Sequence, residues 1–128
     1  MRLGAVRDIL NCRVIVGQER LSEEVGVGCG ADLMSDVLAF IKPNALLLTG
    51  LTNVQSVRTA DVAEVKAIVY VRGKLPEQAA VDLAKEKGIV LLATSLPMYE
   101  SCGKLYGRGL MGGSELQEAL ADVGRKSV

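Results

Sequence analysis

Three solid apolar runs constrain this chain more than any other feature: Ala45-Leu46-Leu47-Leu48-Thr49, Ala67-Ile68-Val69-Tyr70-Val71 and Ile89-Val90-Leu91-Leu92-Ala93. A strand with one wet face alternates apolar and polar residues, whereas a strand buried on both faces reads as an unbroken apolar run. Helical stretches lie between the runs. Val54 to about Glu64 carries Val54, Val57, Asp61 and Val65 in a mixed helical pattern. Pro76 opens the clearest helix, which runs through Lys87 with Ala79, Ala80, Leu83 and Ala84 inward and stops at Gly88. Pro97 to about Tyr106 is a further helix. This alternation predicts an α/β fold, a single layered domain with a largely parallel central sheet flanked by helices.

The first third of the chain is less regular. Leu3 to Leu10 has Leu3, Val6 and Leu10 at helical spacing, Arg13-Val14-Ile15-Val16 reads as a short strand ended by Gly17, and Gln18 to Glu24 is polar and turn-like. Next comes Val25-Gly26-Val27-Gly28-Cys29-Gly30-Ala31-Asp32. As a strand, it places Val25, Val27, Cys29 and Ala31 on one face and Gly26, Gly28 and Gly30 on the other. Glycine weakens a strand, so a bare glycine face implies a close approach by a packed helix, a partner's backbone or a ligand. Asp32 then reads as the N-cap of a helix through Phe40, with Leu33, Val37, Phe40 and Ile41 as its apolar stripe. Lys42-Pro43-Asn44 stops that helix.

At 128 residues the chain is one domain by size. Such a chain buries roughly two-thirds of its unfolded surface, enough to fold without disulfides or metal. One Phe, three Tyr and no Trp make the core aliphatic. Fifteen basic and fifteen acidic residues cancel. That balance gives no general attraction to a phosphate backbone, and the scarcity of aromatics leaves no stacking platform, so nucleic acid is not an expected partner. Zero net charge permits self-association, and a homodimer is expected. The N-terminus lacks a signal-peptide core, and no apolar run approaches the ~20 residues of a membrane span, so no membrane partner is expected. Cys12, Cys29 and Cys102 form no disulfide framework, and the reading is a reduced, cytoplasmic protein. The expected layout is a domain over 1–110 followed by a capped helix and tail over 111–128. There, Ser114-Glu115-Leu116-Gln117 is a capping-box pattern, and Leu116, Leu120 and Val123 line one side. The double glycine before it, Gly112-Gly113, reads as a flexible attachment.

Parallel α/β sheets gather ligands at the carboxyl ends of their strands. Those ends supply Thr49, Gly50, Thr52, Asn53, Arg72, Gly73, Lys74, Thr94 and Ser95 as candidate ligand-binding residues. Helix starts nearby offer free N–H groups, Arg72 and Lys74 add positive charge, and the small polar side chains add hydrogen bonds. Together they suit a nucleotide or another small anion; the bland alternative is that they are turn and cap formers. Gly26-x-Gly28-x-x-Ala31 formally meets a relaxed dinucleotide pattern, but no buried strand precedes it and no acidic residue follows about twenty positions on. There is no histidine, the commonest general base and metal ligand, and no enzyme is expected. The sequence names no cofactor. The alternative function is a redox module in which Cys29 and Cys102 of two subunits hold an iron–sulfur cluster or metal.

The segments Ile9–Gly17, Pro43–Gly50, Lys66–Pro76 and Lys87–Thr94, in that order and spacing, resemble the DRTGG domain over roughly residues 3 to 110. The resemblance implies a small α/β regulatory or interaction module. Such domains accompany phosphotransacetylases, sit between the CBS domains of some inorganic pyrophosphatases, and occur alone beside redox enzymes such as hydrogenases. A partner enzyme of redox or acyl-phosphate metabolism is therefore implied. The chain departs from the eponymous residues. Leu51-Thr52 stands where the family has Asp-Arg, and Val71-Arg72-Gly73 where it has Thr-Gly-Gly, so only Gly73 is retained there.

Overall fold

The computed structural model describes residues 1–114, and the expected helix with Leu116, Leu120 and Val123 lies outside the described residues. Elements run in the order α1 (Leu3–Leu10), β1 (Arg13–Val16), β2 (Val27–Gly30), α2 (Met34–Phe40), β3 (Ala45–Thr49), α3 (Val54–Val62), β4 (Ala67–Tyr70), α4 (Gln78–Lys87), β5 (Val90–Ala93) and α5 (Met98–Gly107). Among the described residues the sheet has five strands in the order β1-β5-β4-β3-β2. Strands β2 to β5 are mutually parallel. Only β1 runs antiparallel, along the outer edge of β5.

The solid apolar runs occupy the middle of this sheet. Every residue of β3, β4 and β5 is buried, and their side chains alternate between two cores. Leu46, Leu48, Val69 and Leu92 meet α1 and α5 residues such as Leu3, Val6, Leu10 and Leu105. Leu47, Ile68, Tyr70 and Leu91 meet Met34, Val37, Val57, Ala60, Ala80 and Ala84 of α2, α3 and α4. The result is a three-layer α/β/α sandwich. Within the second layer the buried Tyr70 hydroxyl shares a 2.9 Å hydrogen bond with Ser56 Oγ, which is buried as well.

The glycine face of β2 is filled by α5 and by Leu110 just after it. A side chain at Gly30 would meet Cys102 Sγ at 2.9 Å and Met98 Sδ at 3.1 Å, and one at Gly28 would meet Leu110 at 3.1 Å. Gly26 faces open space. The outer backbone edge of β2 is also engaged, since Gly28 N–H donates to Met111 O at 2.9 Å and Gly112 bridges to Gly28. The chain is thus tied to the sheet edge at Met111 and Gly112.

Two helices depart from the sequence expectation. Helix α2 begins at Met34 with Leu33 as its N-cap, and Asp32 caps nothing. Its inward residues are Met34 and Val37, while Leu33 and Leu38 are exposed and Phe40 is 73% exposed. The short α2 covers the edge strand of the sheet, where one stripe of side chains suffices for the burial available. Helix α4 begins at Gln78, not at Pro76, because Glu77 is extended and its N–H donates to Thr52 O at 2.9 Å. Its buried contacts are Ala80 and Ala84, one turn apart, while Ala79 is exposed and Leu83 half-buried.

Gly17, which ends β1, has φ +97° and lies so close to β5 that a side chain would meet Val90 Cγ2 at 2.7 Å. Gly17→Ala should therefore destabilise the domain by about 1–2 kcal/mol from backbone strain alone, with the Val90 collision adding to it. Urea unfolding monitored by far-UV circular dichroism checks this, and an unchanged midpoint contradicts it.

Candidate functional site

Because β2 to β5 are parallel, their carboxyl ends share one edge of the sheet, and the loops leaving them form a continuous rim. The register pairs Gly30 with Leu48, which brings the residues just beyond, Asp32 and Gly50, together. Gly50 N–H donates to Asp32 Oδ1 at 2.7 Å, and Thr49 Oγ1 donates to the same oxygen at 3.2 Å. Thr49 Oγ1 in turn accepts from Leu51 N–H at 3.1 Å. One carboxylate thus clasps the ends of β2 and β3.

The end of β4 supplies the cations. Arg72 and Gly73 both have positive φ, +60° and +71°, and Lys74 N–H donates to Val71 O at 3.3 Å. Two positive φ values inside an i to i+3 hydrogen bond make a type I′ turn, which glycine adopts freely and arginine does not. Hydrogen bonds hold the strain at Arg72, since its N–H donates to Leu96 O at 2.8 Å and Gly73 N–H donates to Thr94 O at 2.9 Å. The turn projects Arg72 and Lys74 over the rim. An Arg72 guanidinium nitrogen lies 3.9 Å from Asp32 Oδ2, and Lys74 Nζ donates to Gly50 O at 3.3 Å. Gly50 makes room for this, because a side chain there would meet the Arg72 guanidinium at 2.9 Å. The ion pair is exposed and loose, worth about 1 kcal/mol or less, so the guanidinium is readily given up to a stronger anion.

All of the sequence-predicted ligand residues lie along this rim, but they do different work. Thr94 is buried, and its hydroxyl donates to Leu10 O at 2.8 Å. Asn53 is the N-cap of α3, accepting from Gln55 N–H at 3.1 Å. Thr49 is buried in the clasp, and Thr52 anchors the start of α4 through its carbonyl. Arg72, Gly73, Lys74 and Ser95 face solvent. Asp32 was missed, because a lone Asp before an apolar stripe reads as a cap. The strand register that makes it a clasp is a long-range property with no local signal.

The cysteine reading finds no support in the geometry. Cys29 alternates with Gly28 and Gly30, so while those face α5, Cys29 packs with the α2–α4 core and Cys102 with the α1–α5 core. The two residues thus belong to different cores, though both contribute to the lining of one concavity between β2 and α5. Burial raises the pKa of both, and the neighbouring Cys102 raises that of Cys29 further, opposite to what thiolate ligands need. Burial likewise pushes Cys12 to about 12. Among the described residues no group of three or more His, Cys, Asp or Glu is placed to hold a metal ion. None of the described helices is long and apolar enough to cross a membrane.

A second concavity, of about 730 Å³, lies away from the rim cations between the β2 edge and α5, lined by Gly28, Gly30, Leu48, Tyr99, Lys104 and Leu110 among others. Its walls are mainly apolar.

Removing the clasp tests whether Asp32 organises the rim. Asp32→Ala should cost about 1–2 kcal/mol, the range for hydrogen bonds to a charged group at a partly wet site, read as a lowered urea midpoint. Wild-type stability in that variant would show the clasp to be incidental.

No family model and no curated protein matches the sequence. Among solved structures, the chain is similar to the CBS and DRTGG domains of the regulatory region of Clostridium perfringens pyrophosphatase, complexed with its activator, diadenosine tetraphosphate. The TM-score is 0.67 at 17% identity, over 79% of this chain and 44% of that one. The chain therefore spans less than half of the neighbour's length, and at this identity the likeness is one of fold. It is the fold that the DRTGG resemblance in the sequence implies.

Proposed function

We propose that this chain is a non-catalytic regulatory module that senses a nucleotide or similar small anion at the carboxyl ends of its parallel strands. The observation that carries this reading is the type I′ turn that presents Arg72 and Lys74 beside the unobstructed backbone of Gly73. Strained backbone at a non-glycine residue, held by two hydrogen bonds to the loop after β5, is a feature that clusters at binding sites. Arg72 and Lys74 grip the anion, Ser95 and Thr52 add hydrogen bonds from the flanking loops, and Thr49, Gly50, Asn53 and Thr94 hold those loops in place. The structural neighbour supports the class of ligand, since it is a regulatory region complexed with a nucleotide activator. Binding changes the Arg72–Asp32 pairing, and so couples the ligand to the junction of β2 and β3.

The module works as a homodimer that reports to a partner enzyme of redox or acyl-phosphate metabolism. Exposed Leu33, Leu38 and Phe40 on α2 supply the apolar surface for self-association.

Calorimetric titration with ATP, ADP and diadenosine tetraphosphate tests the ligand reading. At about 100-fold excess over the dissociation constant the ligand stabilises the fold by about 2.7 kcal/mol, visible as a raised melting temperature. Arg72→Ala should weaken binding at least tenfold, or ~1.4 kcal/mol. Absence of binding by all three nucleotides contradicts the reading. Light scattering addresses the dimer separately. The expected mass is twice the 13.6 kDa of the chain, falling to one chain in Phe40→Asp, and a strict monomer at micromolar concentration contradicts it.

A further inference from the structure

The charged groups of the rim converge on one point, which limits how much of an anion they hold. Arg72 and Lys74 both reach Gly50. A side chain at Gly50 would meet the guanidinium at 2.9 Å, and the Lys74 ammonium donates to Gly50 O at 3.3 Å. Asp32 Oδ2, 3.9 Å from the guanidinium, sets one negative charge against these two positive ones. Sites that hold a chain of phosphates aim backbone N–H groups at successive phosphoryl oxygens. Here the N–H groups of the turn are engaged within the fold, those of Arg72, Gly73 and Lys74 donating to Leu96 O, Thr94 O and Val71 O. The loops beside it follow suit. Gly50 N–H donates to Asp32 Oδ1, Leu51 N–H to Thr49 Oγ1 and Leu96 N–H to Thr94 Oγ1.

Granting the rim site proposed above, we infer that it reads a single terminal phosphate as the dianion, and not the length of a phosphate chain. A phosphomonoester carries a charge of about −1.5 to −2 at neutral pH and presents three acceptor oxygens. Arg72 and Lys74 match that charge. The guanidinium fork takes two oxygens side by side, and the Lys74 ammonium serves the third. A second phosphate in line finds the N–H groups of the turn already engaged and brings further negative charge towards Asp32. An internal phosphate, bridged on both sides, offers neither the second charge nor the third oxygen. A nucleoside monophosphate, a sugar phosphate and inorganic phosphate share the group the rim requires, and ADP and ATP present it at the end of the chain. Diadenosine tetraphosphate has internal phosphates alone.

Calorimetric titrations of the full chain in magnesium-free buffer, at constant ionic strength and neutral pH, test this with AMP, ADP, ATP, diadenosine tetraphosphate and adenosine. The first three should bind with dissociation constants within about threefold of one another. Diadenosine tetraphosphate should bind about tenfold more weakly, the loss expected for one charge-assisted hydrogen bond. Affinity that climbs about tenfold with each added phosphate overturns the inference. Diadenosine tetraphosphate as tight as ATP, or adenosine as tight as AMP, overturns it too. Each of the first two results still leaves an anion at the rim, whereas no binding by any of the phosphates removes the rim site itself. Ribose 5-phosphate and inorganic phosphate separate the sources of the group. Affinity equal to that of AMP means the phosphate alone is read, and weaker binding means the nucleoside adds contacts; both keep the terminal phosphate as the recognised group. Asp32→Asn retains an oxygen to accept from Gly50 N–H and removes the charge. ATP should then gain on AMP by about fivefold, the scale of one exposed charge pair, and an unchanged ratio contradicts the limit set by Asp32.

Discussion

The right-handedness of parallel crossovers is the constraint on which this structure depends. From β2 to β3, β4 and β5 the chain steps one strand at a time in the same direction across the sheet. When each step is right-handed, every connecting helix falls on the same face, and α2, α3 and α4 do. The opposite face of three fully buried strands must then be covered by helices outside the crossovers. Only the segments before β1 and after β5 are available, and α1 and α5 fill that role. The glycine face of β2 follows from the same requirement. Helix α5 has to reach the sheet edge over β2, and Gly28 and Gly30 let it lie against the strand backbone. An edge strand with side chains there would hold α5 off and open the α1–α5 core.

The layered sheet was legible in the sequence because burial on both faces leaves a local mark, an unbroken apolar run, at Ala45–Thr49, Ala67–Val71 and Ile89–Ala93. The glycine alternation was legible as a close approach, with a packed helix among the three candidates. What could not be read locally is whatever depends on which strands are neighbours. Asp32 is a helix cap by its local sequence and a clasp by the register of β2 against β3. Phe40 falls within a plausible apolar stripe, yet a seven-residue helix over an edge strand buries only Met34 and Val37 fully. Cys29 and Cys102 do come near one another, as their loops suggested, but the period of two along β2 turns them to opposite faces. For the rim, residue type at strand ends located the loops. It did not separate Thr94 and Asn53, whose side chains are consumed by the fold, from Arg72 and Lys74, whose charges are free to meet solvent.

A steady march across the sheet has a further consequence. Ligand crevices in doubly wound sheets open where the strand order reverses, and the four parallel strands here have no such reversal. The rim is consequently shallow. The anion site proposed there rests on the strained turn at Arg72-Gly73 and on the carboxylate beside the guanidinium, not on an enclosing cavity. The groove on the α5 side offers volume with mainly apolar walls, Glu100 and Lys104 being its charged lining residues.

The most direct measurement is an amide nitrogen–proton correlation spectrum of the isotope-labelled chain during titration with ATP. Binding at the rim predicts that Asp32, Gly50, Arg72, Gly73 and Lys74 shift first and saturate together, while residues lining the β2–α5 groove stay in place. Shifts confined to Gly28, Gly30 and α5, or a spectrum that ATP leaves unaltered, would contradict a regulatory site at the strand ends.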